Sequence, residues 1–156
     1  LVYGTTSDWL WRWTGPWAWL ANGLALAALA GTAVAGRAYD TQEFFGLRQI
    51  RQGDHGTEDR QGFGISALHR HVRHPWYFLS LVLIWTRDMN APFLVSALVI
   101  TLYFVIGSRL EENKLVALHG DAYREYRRRV PGLLPLPWKR LSVAEADALM
   151  QGARHG

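Results

Sequence analysis

The stretch WAWLANGLALAALAGTAVAG, residues 17–36, decides the fold, because it runs for 20 residues without a charged side chain. At about 1.5 Å of rise per residue, a helix of this length covers roughly 30 Å, the thickness of a bilayer hydrocarbon core. A signal peptide would have a basic start and a shorter apolar core, whereas this run follows a Trp-rich segment in which Arg12 is the only base. We therefore predict a transmembrane helix over residues 17–36.

Two shorter apolar runs, residues 75–86 and 93–107, flank the charged turn 87–92. As helices they would cover about 18 Å and 22 Å, each short for a full span, so they predict a helical hairpin. A charged turn is costly inside lipid, so it must reach the far interface or a water-filled recess. Because a hairpin returns the chain to the side it left, residues 37–74 and the tail from Ser108 should share one face of the membrane.

That shared face carries most of the positive charge of a chain with 17 Lys and Arg against 13 Asp and Glu. By the positive-inside rule, this face is predicted to be cytoplasmic, in a multi-pass protein of the cell inner membrane. The basic residues of this face fit this orienting role and contact with anionic lipid, and substrate binding is the other interpretation; they include Arg124, Arg127, Arg128, Arg129, Lys139 and Arg140. We expect membrane lipids as partners and no nucleic acid.

The predicted fold class is therefore all-α: a polytopic integral membrane protein with one clear transmembrane helix, a helical hairpin and a cytoplasmic helical C-terminal tail. In the tail, residues 121–130 predict a short helix ended by Pro131, and Ser142 with Glu145 predicts a capping box for a last helix. A length of 156 residues allows one domain, residues 1–156. The chain opens with Leu1 rather than Met, so further N-terminal spans are left open.

The first cluster of reactive side chains is HRHVRHPWY, residues 69–77, at the start of the hairpin. Three histidines within six residues suggest a metal, yet only His71 and His74 have helical spacing, and the arginines between them repel a cation. We expect no metal ion. A membrane metal or haem protein using His69, His71 and His74 stays as the alternative function, and a non-catalytic membrane scaffold is a third.

The second cluster is Glu111 and Glu112, at the end of the returning arm. This arm ends at the level where the first one begins, so the two carboxylates should lie near His74 and Tyr77. Glu can bind an ammonium group or ribose hydroxyls, Arg can hold a carboxylate, and aromatic faces suit a sulfonium or an adenine. S-adenosylmethionine has all of these parts, although on chemistry alone it is one candidate among several.

The sequence ALHRHVRHPWY, residues 67–77, resembles the G-x-Y-x-x-V-R-H-P-x-Y signature of the membrane-embedded methyltransferases that include isoprenylcysteine carboxyl methyltransferase and phospholipid methyltransferases. RLEENKL (109–115) and HGDAYREYRRRVP (119–131) are similar to that family's E-E-x-x-L and G-x-x-Y-x-x-Y-x-x-x-V-P ending. FGLRQ (45–49) and the RRRVP ending are most similar to the bacterial methanethiol S-methyltransferase branch. There are departures: Ala67 and His69 replace the family's Gly and Tyr, His71 replaces an aromatic residue, and DTQE (40–43) replaces an Asn-His-Phe-Asp type of sequence.

This resemblance implies a single membrane-embedded domain that transfers a methyl group from S-adenosyl-L-methionine. The acceptor would be a small thiol or a lipophilic molecule, such as an isoprenylcysteine-type carboxylate or a lipid amine. The cofactor site would face the cytoplasm and use these residues: Gln49, His69, His74, Pro75, Trp76, Tyr77 and Glu111. Arg73 and Glu112 are the candidate catalytic residues, expected to orient cofactor or substrate. Neither is assigned as a general base, because methyl transfer from a sulfonium has a neutral leaving group and depends mainly on positioning and desolvation.

Overall fold

A computed structural model of the chain describes residues 9–38 and 64–155. The described residues form four helices: α1 (Gly15–Ala38), α2 (Pro75–Trp85), α3 (Ala91–Arg129) and α4 (Val143–His155). Two short strands, β1 (Trp9–Trp11) and β2 (Met89–Asn90), were not predicted. The predominantly helical class is confirmed. By length and composition, α1 and α3 are long and apolar enough to cross a membrane, whereas α2 is shorter.

Helix α1 buries its small side chains and exposes its large apolar ones. The buried positions are Ala21, Ala25, Ala28 and Ala35, whose spacing places them along one face. Leu20, Leu24, Leu26, Leu29 and Val34 are exposed. The buried face packs against α2, where a Cβ added at Gly31 would lie 3.1 Å from Leu79 Cδ2. Small residues at a helix contact and large apolar residues outside are the pattern of helices that pack within lipid.

Helices α2 and α3 form the predicted hairpin: α2 ends one residue before its predicted end, and α3 begins two residues before its predicted start. Pro75 occupies the first turn of α2, where its missing N–H costs nothing. Asn90 caps α3 by accepting a hydrogen bond from the Phe93 amide at 2.9 Å. Further along, the Tyr77 ring stacks on Phe104 with centroids 4.6 Å apart. The start of α2 therefore faces the part of α3 that leads to the two glutamates.

The charged turn between α2 and α3 is held by the segment that precedes α1. Strands β1 and β2 pair in antiparallel fashion, and the Trp13 amide donates to Asp88 Oδ1 at 3.0 Å. The Arg87 guanidinium donates to Asn22 Oδ1 of α1 at 3.3 Å. These contacts form the distal end of the helix bundle, opposite the end at which α2 begins.

The helix that begins at Ala91 runs past its predicted end at residue 107 as far as a kink at Gly120, where the backbone is not helical. The predicted short helix over 121–130 corresponds to the helical segment beyond this kink, which ends at Arg129. Strong helix formers such as Leu110, Glu111, Lys114 and Leu115 carry the helix through the polar region. Gly120 has φ 54°, a left-handed conformation that glycine adopts at little cost. Beyond the kink lies a small apolar core: Ile65, Tyr123, Tyr126, Val130, Leu141 and Ala146. The Ser142–Glu145 capping box is confirmed at the start of α4.

Candidate functional site

The polypeptide immediately before α2 is held in place by the segment that follows α3. The Arg73 amide donates to the Pro131 carbonyl at 2.9 Å, and the His74 amide donates to the Gly132 carbonyl at 3.1 Å. His74 has φ −119° and ψ 70°, outside the helical region, as expected for a residue before proline. Two sequence motifs that lie more than 50 residues apart are thus joined backbone to backbone.

The His74 ring is buried, with a relative exposure of 7%. Tyr77 stacks against the ring, and the two glutamates lie beside it. Its Nε2 atom lies 3.1 Å from Glu112 Oε1. An ionised carboxylate only accepts hydrogen bonds, so Nε2 carries a proton and a neutral ring keeps its lone pair on Nδ1. That Nδ1 atom is 3.6 Å from Glu111 Oε2.

Arg73 and Glu112 form a buried ion pair. Arg73 Nη2 lies 2.9 Å from Glu112 Oε1, and the two side chains are 11% and 9% exposed. Nη1 of Arg73 also donates to the Arg127 carbonyl near the end of α3. The pair leaves little room, since a Cβ at Gly132 would lie 3.2 Å from Arg73 Nη2 and 3.7 Å from Glu112 Oε1. Both candidate catalytic residues are therefore committed to contacts within the protein.

The two adjacent glutamates have different environments. Successive residues of an α-helix point about 100° apart, so the two side chains approach His74 from different sides. Glu112 points inward to Arg73 and His74, whereas the Glu111 side chain is 51% exposed and reaches His74 from the outer side. The predicted proximity of both carboxylates to His74 is confirmed. Glu111 is the one of the two that is open to a ligand.

His69 lies in the turn before Arg73 and is partly buried. Its carbonyl accepts a hydrogen bond from the Tyr126 hydroxyl at 2.7 Å, and its Nδ1 is 2.8 Å from Ser66 Oγ. Burial, and secondarily the positive charge that His74 can carry, lowers the pKa of His69 below its usual value. The His69 ring is thus biased toward its neutral form near neutral pH.

The three histidines do not share a ligand site. His69 is near Ser66, the His71 ring is exposed and near the Ala67 carbonyl, and His74 contacts Glu112. Within residues 9–38 and 64–155, no group of three or more His, Cys, Asp or Glu side chains is arranged to hold a metal ion. The alternative of a metal or haem protein is not supported.

The remaining predicted cofactor residues lie mostly at the start of α2. Pro75 is buried, Trp76 is partly buried and approaches α1 at Gly36, and Tyr77 lies between His74 and Phe104. Gln49 lies outside the described residues. Sequence reasoning missed the role of Gly132 and of the Pro131 carbonyl. The only signal was a Pro-Gly pair directly after α3, which by itself indicates no more than a turn.

Similar sequences are found among curated proteins, although no family model and no solved structure matches the chain. Methanethiol S-methyltransferase 2 of Bradyrhizobium diazoefficiens is 38% identical over 132 residues, which cover 81% of this chain and 49% of that protein. The methanethiol S-methyltransferase of Crocosphaera subtropica is 39% identical over 100 residues, covering 63% of this chain and 39% of its own. That of Mycobacterium tuberculosis is 41% identical over 97 residues, covering 61% and 40%.

The chain spans about half the length of the first of these relatives, and less of the others. These relatives carry the name of the branch that residues 45–49 and 67–131 resemble. The resemblance inferred from the paired motifs is thereby confirmed, and the chain is a homologue of methanethiol S-methyltransferases.

Proposed function

We propose that this chain carries the cofactor site of an integral membrane methyltransferase that uses S-adenosyl-L-methionine and methylates a small thiol. The observation that carries the proposal is the convergence of His74, Tyr77 and Glu111 from two motifs at one end of the α2–α3 hairpin. The names of the relatives support a thiol as acceptor. The outward-facing apolar side chains of α1 and α3 support a multi-pass location in the inner membrane.

The residues present fit the chemical groups of the cofactor. Glu111 offers a half-exposed carboxylate to an ammonium group or to ribose hydroxyls. Trp76 is the aromatic candidate for contact with a sulfonium or an adenine, because the Tyr77 ring is stacked between His74 and Phe104. His74, with Nε2 held by Glu112, can present Nδ1 as an acceptor next to Glu111. When bound, S-adenosylmethionine supplies an activated methyl group on a sulfonium.

Arg73 and Glu112 act in this proposal as positioning residues. Glu112 fixes the tautomer and the orientation of the His74 ring, and Arg73 neutralises the buried charge of Glu112. Arg73 also ties this unit to the end of α3 through the Arg127 carbonyl. The protein's task is then to hold the reactants in line and away from water, because a thiolate acceptor needs no further base for methyl transfer.

The test is calorimetric titration of the purified chain, in detergent or nanodiscs, with S-adenosylhomocysteine. We expect stoichiometric binding that Glu111→Gln weakens by about 10- to 150-fold, the loss of one charge-assisted hydrogen bond. Methyl transfer is then assayed with methanethiol, an isoprenylcysteine analogue and phosphatidylethanolamine. Dimethyl sulfide formation is expected with methanethiol. Absence of binding would reject the cofactor, and binding with another acceptor preferred would reject only the thiol.

The orientation of the chain in the membrane is tested separately. Because the chain has no native cysteine, each introduced cysteine can be labelled without background. Single cysteines at Thr57 and Ser142 should react with a membrane-impermeant reagent from the same side, and that side should be the cytoplasmic one. The reason is the shared positive charge of the two segments and the even number of hairpin arms between them. Labelling from opposite sides would contradict the proposed topology.

A further inference from the structure

The connection between α3 and α4 presents apolar and basic side chains next to each other. Within residues 131–141, here called the α3–α4 loop, Leu134 is 62% exposed and Trp138 is 76% exposed. Lys139 and Arg140 directly follow and are also exposed. Neither forms an ion pair with any residue of the described ranges. Exposed Trp and Leu side chains are costly in water. Their position beside two unpaired cations therefore indicates contact with a surface that is both apolar and negatively charged.

The α3–α4 loop is fixed to the protein at both ends. At its start, the Pro131 and Gly132 carbonyls accept from the amides of Arg73 and His74. At its end, the Leu141 amide donates to the Arg70 carbonyl at 3.0 Å, and the Leu141 side chain is buried. Inside the loop, the Lys139 amide closes a turn onto the Leu136 carbonyl at 3.0 Å. The exposed side chains are therefore presented by an anchored turn.

These attachments place the loop beside the residues that lead into α2. Pro75 begins the apolar α2 directly after the charged stretch that contains Arg70 and Arg73. The loop therefore lies near the level at which the polypeptide changes from charged to apolar. In a membrane protein this level is the boundary between headgroups and hydrocarbon, where Trp is enriched and where Lys and Arg meet lipid phosphates.

We propose that the α3–α4 loop is a membrane-interface anchor whose occupant is an anionic phospholipid surface. Trp138 and Leu134 enter the interfacial region, and Lys139 with Arg140 contacts the phosphate groups. Because the loop is bonded to the backbone of Arg73 and His74, this contact holds the candidate cofactor site at a defined height above the hydrocarbon. The inference rests on the membrane location proposed above and adds to it the element that contacts the headgroups.

The test uses nitroxide labels on single cysteines in the full chain, reconstituted into nanodiscs of phosphatidylcholine with or without phosphatidylglycerol. Labels are placed at Leu134 and Trp138 in the loop, at Ala148 on the exposed face of α4, and at Leu98 on the exposed apolar face of α3. Depth is read from the accessibility of each label to oxygen relative to a water-soluble nickel complex. We expect values for Leu134 and Trp138 between those of Leu98 and Ala148.

The basic residues are tested on the Trp138-labelled chain. Removing the charge with Lys139→Ala or Arg140→Ala should lower the ratio of immersed to water-exposed label by about fivefold each in phosphatidylglycerol nanodiscs. The control Lys114→Ala removes an exposed charge of α3 and should leave this ratio unchanged. No such change should occur in phosphatidylcholine alone.

The possible outcomes distinguish failure of the anchor proposal from failure of the proposed membrane location. If Leu98 is immersed while Trp138 is as accessible to nickel as Ala148, the anchor is overturned and the membrane location stands. If Leu98 itself is water-exposed, the membrane location fails first. Spin–spin broadening between Trp138 labels would identify a second copy of the chain as the occupant and would also overturn the lipid assignment.

Discussion

Neutralising Glu112 should damage the stability of the protein, whereas neutralising its neighbour should damage ligand binding. Glu112→Gln leaves the Arg73 guanidinium without a counter-ion in a site where the two side chains are only 11% and 9% exposed. Removing one member of a buried ion pair costs about 3–5 kcal/mol. At about 2–4 °C per kcal/mol for a chain of this size, the unfolding midpoint should fall by roughly 6–20 °C.

The matched control is Glu111→Gln, the same substitution one position earlier in the helix. The Glu111 side chain is 51% exposed, and its 3.6 Å contact with His74 is solvent-screened. Such a contact contributes about 0–1 kcal/mol to stability, so the unfolding midpoint should move by less than about 4 °C. S-adenosylhomocysteine affinity should nevertheless fall by about 10- to 150-fold. Glu112→Gln should thus mainly lower the unfolding midpoint, whereas Glu111→Gln should mainly lower the affinity for S-adenosylhomocysteine.

The assay follows Trp fluorescence during heating of the purified chain in one detergent, with and without S-adenosylhomocysteine. A double variant tests whether the unpaired charge is the cause of the stability loss. Arg73→Met combined with Glu112→Gln removes both buried charges, and this variant should be no less stable than Glu112→Gln alone. A midpoint for Glu112→Gln within about 2 °C of the parent would refute the reasoning. So would a double variant whose loss is the sum of the two single losses.

Three further predictions follow from the same site. Gly132→Ala places a methyl group 3.2 Å from Arg73 Nη2, so the unfolding midpoint should fall, while Gly152→Ala on α4, where a Cβ meets open space, should not lower it. For His69, the lowered folded-state pKa means that the unfolded chain takes up protons first as pH falls through about 6.5. The free energy of unfolding should therefore decrease as the pH falls below that value. The His69→Gln variant should show a smaller decrease between about pH 7.5 and 5.5. His74→Asn should retain more S-adenosylhomocysteine binding in calorimetry than His74→Ala, because it keeps a donor and an acceptor; equal loss would contradict this role.

The apolar helices and the meeting of the two motifs could be predicted from the sequence. A run of 20 residues without a charge predicts a membrane helix over residues 17–36. In a hairpin with two apolar arms and a charged turn, the two outer ends must lie on the same side. The same reasoning placed Glu111 and Glu112 near His74 correctly. It works because helix rise and hairpin geometry convert sequence distance into spatial distance with little freedom.

Which glutamate points inward could not be predicted from the sequence. Both residues have the same side chain, and the choice depends on the rotation of α3 about its axis, which is set by packing contacts such as the stack of Phe104 on Tyr77. The burial of His74 was missed for a similar reason, because its neighbours come from the Pro131–Gly132 backbone and from α3. The continuation of α3 from residue 107 to the kink at Gly120 was missed because apolarity ends at residue 107 while helix propensity does not.

The pairing of β1 with β2 has a mechanical consequence for how the helices can separate. Together with the contacts Trp13–Asp88 and Asn22–Arg87, it fastens α1, α2 and α3 at their distal end. The opposite end is fastened too, because Arg73 pairs with Glu112 and the amides of Arg73 and His74 donate to the Pro131 and Gly132 carbonyls. The α2–α3 pair is thus braced at both ends, so a ligand would reach His74 from the solvent-exposed side of Glu111 rather than by separation of the two helices.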